Sequence, residues 1–120
     1  MTGATNQEPI CVDDFKMHVL LIKEGPHWIA QGLEHDIAAQ GVTFKEAIHL
    51  FGVLLLAEVR YDRKNGLKPL DRIGKAPQRY WDQLRRGEPI RLQRQDRHYS
   101  DGDTGSLIDS ALQKSEFVLV

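Results

Sequence analysis

The chain predicts an α+β fold: a three-stranded antiparallel β-meander with one long helix packed on it, a second short helix and a candidate extra strand. Three features carry this expectation. Residues 15–40 alternate apolar and polar side chains between short polar breaks. Thr43 and Glu46 stand at S/T-x-x-E spacing ahead of a run with helical periodicity. A second, Pro-initiated amphipathic stretch follows near residue 77.

The elements follow in order. Residues 1–13 hold few large apolar side chains and are expected to form a loose leader. From Phe15, the series Phe15, Met17, Val19, Leu21 against Lys16, His18, Leu20, Ile22 has the period of a strand. Its second half is apolar on both sides, which places it inside a sheet with something packed on each face. Lys23-Glu24-Gly25-Pro26 is a turn signal. Trp28, Ala30 and Gly32 alternating with Ile29, Gln31 and Leu33 predict a second strand. After Glu34-His35-Asp36, Ile37 to Gln40 predicts a third. Connections this short imply an antiparallel meander, because parallel neighbours need a longer crossover. Three strands alone are marginal, and a helix laid across one face completes a core.

That helix has the sharpest local signal in the chain. The Thr43 hydroxyl is placed to accept from the backbone N–H of Glu46, and the Glu46 carboxylate to reach back towards the start of the helix. Phe44, Ala47, Ile48, Phe51, Leu55 and Val59 then recur at spacings of three and four, which is one helical face. Asn65-Gly66 is the stop, with Arg63 and Lys64 in the last turn, where cations suit the helix dipole. The predicted helix spans 44–64, about 30 Å at 1.5 Å per residue. Leu50, Val53, Leu54 and Ala57 lie on the side away from that stripe. They predict cover by a later segment of the chain or by a second copy, so Leu50, Val53 and Leu54 are the candidate oligomer interface.

Beyond Gly66, Ala76-Pro77 predicts a helix start with Pro77 at the first helical position and Gly87 as the stop. Tyr80, Trp81 and Leu84 form its expected buried face, with Arg79, Arg85 and Arg86 towards solvent. Residues 89–92 are the candidate extra strand. Residues 94–106 are almost wholly polar and predict a linker, and Phe117 to Val120 is a strand-like apolar end. The expected organisation is therefore a leader at 1–13, one α+β domain at 14–93, and a polar linker and tail at 94–120.

With 41% apolar and 28% charged residues, the composition is that of an ordinary globular protein. The net charge of −1 argues against sequence-independent attraction to nucleic acid. The distribution is uneven, with ten basic against four acidic side chains over 61–95. The single cysteine, Cys11, excludes an intramolecular disulfide and fits a reducing compartment. Without a secretory pattern at the N-terminus or a long apolar run, a cytoplasmic protein is expected.

The order β-β-β-α, with Gly41-x-Thr43-x-x-Glu46-Ala47 opening the helix directly after the third strand, resembles the HicB-like domain. The matching residues run from Val19-Leu20-Leu21-Ile22 through Trp28-Ile29-Ala30-Gln31-Gly32-Leu33-Glu34 to Ala47. The Leu33–Gly41 form, L-E-x-D-I-A-A-Q-G, is similar to a subgroup of small bacterial HicB-like proteins. The resemblance covers about residues 15–66. It implies a degenerate RNase H-like fold in a non-enzymatic antitoxin that binds and occludes a small basic, mRNA-cleaving toxin of HicA type. A homo-oligomer is expected from the uncovered apolar side of the 44–64 helix rather than from the resemblance. Many members add a C-terminal helix-turn-helix or ribbon-helix-helix that binds DNA; residues 67–120 show neither pattern, so DNA binding is not expected.

A nuclease related to RNase H needs several carboxylates converging on two metal ions. Asp13, Asp14, Glu34 and Asp36 are the available acids, all at predicted leader or turn positions, and solvated loop acids account for them. The histidines lack metal-ligand spacing and Cys11 has no partner, so neither a metal site nor a cofactor is expected. Tyr80 and Trp81 between arginines suit base stacking, but a buried helix face explains them as well. The acidic loop is the better partner site. Glu34, Asp36 and Gln40 are the residues expected to meet a basic partner through complementary charge.

Overall fold

The computed structural model describes residues 15–91 and 102–120; the expected leader at 1–13 and the linker residues 94–101 lie outside them. Five strands form one mixed sheet: β1 (His18–Glu24), β2 (His27–Gly32), β3 (Ala38–Gly41), β4 (Glu88–Ile90) and β5 (Glu116–Leu119). Their order across the sheet is β3-β2-β1-β5-β4. The meander β1-β2-β3 is antiparallel, as expected, with Leu21 opposite Ala30 and Ala30 opposite Ala39. Gly25-Pro26 makes the first turn, and Gly25 takes φ +60°, a conformation suited to glycine.

Helix α1 (Phe44–Lys64) has the predicted bounds. Thr43 Oγ1 accepts from Glu46 N at 3.1 Å, while Glu46 Oε1 accepts from Val42 N at 2.7 Å. At the other end Asn65 closes the helix and Gly66 turns the chain away at φ +69°. The buried side of α1 (Ala47, Ile48, Phe51, Leu55, Val59) lies on one sheet face with Val19, Leu21, Ala30, Ala39 and Phe117. The opposite face is also covered. Leu20, Leu33, Ala76 and Val118 pack there with Tyr80, Trp81 and Leu84 of α2 (Gln78–Leu84). The double apolar character of β1 is therefore explained by a helix on each side. Pro77 does not occupy the first helical position; it is the N-cap of α2, with ψ 150°.

Residues 94–120 are not a linker and tail throughout. Helix α3 (Gly102–Lys114) occupies part of that stretch. Ile108, Ala111 and Leu112 join the same core as Phe51 and Val59. Strand β5 inserts between β1 and β4, parallel to β1 and antiparallel to β4. The tail is thus an inner strand. Its entry is fixed by two bonds to Met17: Met17 N donates to Ser115 Oγ at 3.0 Å, and Glu116 N donates to Met17 O at 3.0 Å. The extra strand expected at 89–92 is β4, which starts one residue earlier and ends at Ile90.

A buried carboxylate ties the connection after α1 to the helix. Asp62, fully buried, accepts from Leu70 N at 2.8 Å and from Arg72 Nε at 2.6 Å. Arg72 also reaches Glu58 at 3.1 Å and lies 4.8 Å over the Tyr61 ring. The hydrogen bond to Asp62, followed by that to Glu58, pushes the Arg72 pKa above its ordinary value. Leu70 takes φ +67° to keep its side chain in the core and its N–H on Asp62.

Candidate functional site

The expected acidic loop is a tight, hydrogen-bonded turn. Gly32 ends β2 and donates to Ile37 O at 2.8 Å, closing Leu33–Asp36 into a tight loop. A Cβ on Gly32 would stand 2.8 Å from His35 O and 2.9 Å from Met17 Sδ, so only glycine lets the loop fold back this closely. The 73–76 segment then stitches it from outside. Asp36 N donates to Gly74 O at 2.8 Å, Ala76 N to Leu33 O at 2.9 Å, and His35 Nδ1 lies 2.9 Å from Ile73 O.

Within that loop the three expected contact residues have different surroundings. Glu34 turns inward. Its Oε1 accepts from His18 N at 2.8 Å and its Oε2 lies 2.7 Å from His18 Nδ1. On the other side of the imidazole, Nε2 is 3.7 Å from Glu116 Oε2. His18 therefore sits between two carboxylates at the end of the sheet where β1 and β5 begin. Asp36 is exposed, with Oδ1 accepting from Gln31 Nε2 at 2.8 Å. Gln31, 4% exposed, also donates to Gly32 O, so the buried amide orients the acid. Gln40 is exposed on β3, opposite Ile29.

Among the described residues β3 is paired on one side by β2 and is the terminal strand on the other, with exposed Asp36 just before it and exposed Gln40 on it. Ala39 points to the α1 core, so Ala38 and Gln40 lie on the α2 face. The charge of Asp36 reaches Arg79 at the start of α2. The Arg79 pKa is raised, first by its hydrogen bond to the Tyr80 hydroxyl at 3.0 Å and less by Asp36. The resulting surface is a short polar edge with one exposed carboxylate.

The remaining candidates are placed as follows. Leu50, Val53 and Leu54 are 37%, 41% and 41% exposed, and no described segment covers them. Asp13 and Asp14 lie outside the described residues. Among the described residues no group of three His, Cys, Asp or Glu side chains could hold a metal ion. Tyr80 and Trp81 are half-buried against the second core cluster. A depression of about 550 Å³ beside them is lined by Lys75, Ala76, Gln78, Trp81, Leu84 and Arg85. No helix among the described residues is long and apolar enough to cross a membrane.

His18, Gln31 and the Asp62–Arg72 pair were not legible as site-shaping groups in the sequence. Each acts through a side-chain pairing that no local periodicity encodes: Gln31 with Asp36, Asp62 with Arg72, and His18 with Glu34 and Glu116. No protein-family model matches this chain, and no curated protein or solved structure matches it either.

Proposed function

We propose that this protein is a non-enzymatic antitoxin of HicB type, acting in the bacterial cytoplasm by binding and occluding a small basic mRNA-cleaving toxin. The supporting observation is the exposed pair Asp36 and Gln40, before and on the strand that ends the sheet among the described residues, set within the stretch that resembles HicB-like proteins. A surface that attracts RNA is basic, and an exposed carboxylate on a hydrogen-bonded loop offers it complementary charge and faster association. β3, terminal in the sheet among the described residues, adds backbone donors and acceptors that a partner can use. Glu34 serves in this reading as the clamp that holds the loop to His18 rather than as a direct contact.

Native mass spectrometry of the untagged protein, expressed with its neighbouring genes, tests the proposal. The expected result is a stoichiometric complex with a small basic protein, weakened about tenfold or more by Asp36→Lys. Recovery without any such partner overturns it.

A second reading is an orphan HicB-like homo-oligomeric interaction or nucleic-acid-binding module without a toxin partner; its nucleic-acid form is favoured by Lys75 and Arg85 beside Trp81 in the depression next to α2. It predicts DNA or RNA binding whose affinity falls steeply with salt. No binding at low salt removes it.

A further inference from the structure

We infer that the outer face of α1 docks a second copy of this chain, with the two helices antiparallel. Leu50, Val53, Leu54, Ala57 and Tyr61 are all exposed and fall on one line of the helix at spacings of three and four. The line runs about 16 Å from Leu50 to Tyr61 at 1.5 Å per residue. Scattered surface apolar residues are ordinary, but a contiguous row of this length marks an interaction surface. Tyr61 is 55% exposed although Arg72 covers one side of its ring.

The charges at the two ends of the row select the occupant. The N-terminal end carries Glu46 and the C-terminal end carries Lys64, both exposed and on the same side as the apolar row. In an antiparallel pair with its two-fold axis between Val53 and Leu54, Leu50 of one copy meets Ala57 of the other. Glu46 then lies within a helical turn of Lys64 of the other copy, at both ends of the interface. The helix dipoles oppose favourably in the same arrangement. A parallel pair instead sets Glu46 beside Glu46 and Lys64 beside Lys64. A strongly basic partner meets cations along the last turn of α1, where Arg63 and Lys64 stand. The net charge of −1 adds little repulsion between copies. An isologous interface uses one patch twice, so a single row with opposite charges at its ends suffices.

Sedimentation velocity on the full chain tests this, with crosslinking to fix the orientation. We expect a dimer at micromolar concentration. Leu54→Glu should raise the dissociation constant at least about 100-fold by facing two carboxylates at the axis. Val42→Glu, at a site 66% exposed but off the row, should leave it unchanged. Circular dichroism and thermal unfolding of both variants should match the parent. In a Cys11→Ser background, Val53→Cys should crosslink to itself. Leu50→Cys should crosslink to Ala57→Cys in a mixture, but not to itself. A monomeric parent, or a dimer unaffected by Leu54→Glu, overturns the inference and assigns the row to another segment of the chain or to a different protein. Self-crosslinking at Leu50→Cys overturns the antiparallel arrangement. The inference does not rest on the antitoxin reading. Loss of toxin binding follows Asp36→Lys, loss of the dimer follows Leu54→Glu, and each can fail without the other.

Discussion

Asp62 places a carboxylate where no solvent reaches, and both of its recorded partners come from the segment that follows α1. A charge in that position is tolerated because Arg72 and the Leu70 N–H replace the lost water. Asp62→Ala leaves that N–H unpaired and removes the anchor of a backbone held at positive φ. The expected loss is about 3 kcal/mol in chemical denaturation. Leu70→Gly relaxes the backbone but removes a fully buried side chain, so it should also destabilise; relief of strain is worth about 1 kcal/mol, less than the burial that is lost. Gly41 is constrained differently. A Cβ there would stand 2.6 Å from Ala47 N and 2.9 Å from Glu46 Cβ, against the first turn of α1. Gly41→Ala should therefore cost about 1–3 kcal/mol by pushing the helix start away from β3.

Among the elements, α1 combines a local and a tertiary role. Its start is specified by the Thr43–Glu46 box, and Thr43→Ala should lower unfolding free energy by about 1 kcal/mol. A Thr43→Ser variant, which keeps the acceptor oxygen, should restore most of that in the same denaturation experiment. Its body is apolar on two sides. One side fills the core with Phe51 and Leu55, while the other leaves Leu50, Val53 and Leu54 in the open. Helix α2 is too short for its own propensity to hold it, and it depends on Tyr80, Trp81 and Leu84 reaching Leu20 and Val118 across the sheet. The expected acidic loop shows the same dependence: Asp36 is aimed by Gln31 and by Gly74, neither of which it adjoins in sequence.

Across the whole molecule, the sheet is closed by its last strand. β5 hydrogen-bonds to β1 on one side and β4 on the other, and α3 delivers Ile108, Ala111 and Leu112 to the core beside α1. Ending the chain at residue 101 would strip β1 of a neighbour, leave β4 with no partner and open the core beneath Phe51. Such a truncation should lose its cooperative unfolding transition and its dispersed amide spectrum. A tail appended to a finished domain at 14–93 would leave both intact. Early residues and late residues are thus parts of one folding unit, pinned together where Met17 meets Ser115 and Glu116.

The order of the meander and the bounds of α1 could be read directly from the chain because their causes are local. Alternation with period two, a hydroxyl three residues before a carboxylate, and an Asn-Gly stop act within a few residues of themselves. The same holds for the prediction that β1 is covered on both faces, since Val19-Leu20-Leu21-Ile22 displays apolar groups to each. Helix α3 was masked by Gly102, Gly105 and a run of polar residues with weak helix preference; its stability comes from packing Ile108, Ala111 and Leu112, not from propensity. The place of β5 depended on pairing with a strand nearly a hundred residues earlier, and no local pattern encodes which edge a strand will join. The bonding of Glu34 to His18 and the exposed setting of Asp36 beside Gln31 have the same origin. Two acids two residues apart look alike in the chain, and the hydrogen-bonding groups that tertiary folding brings to each one make them different.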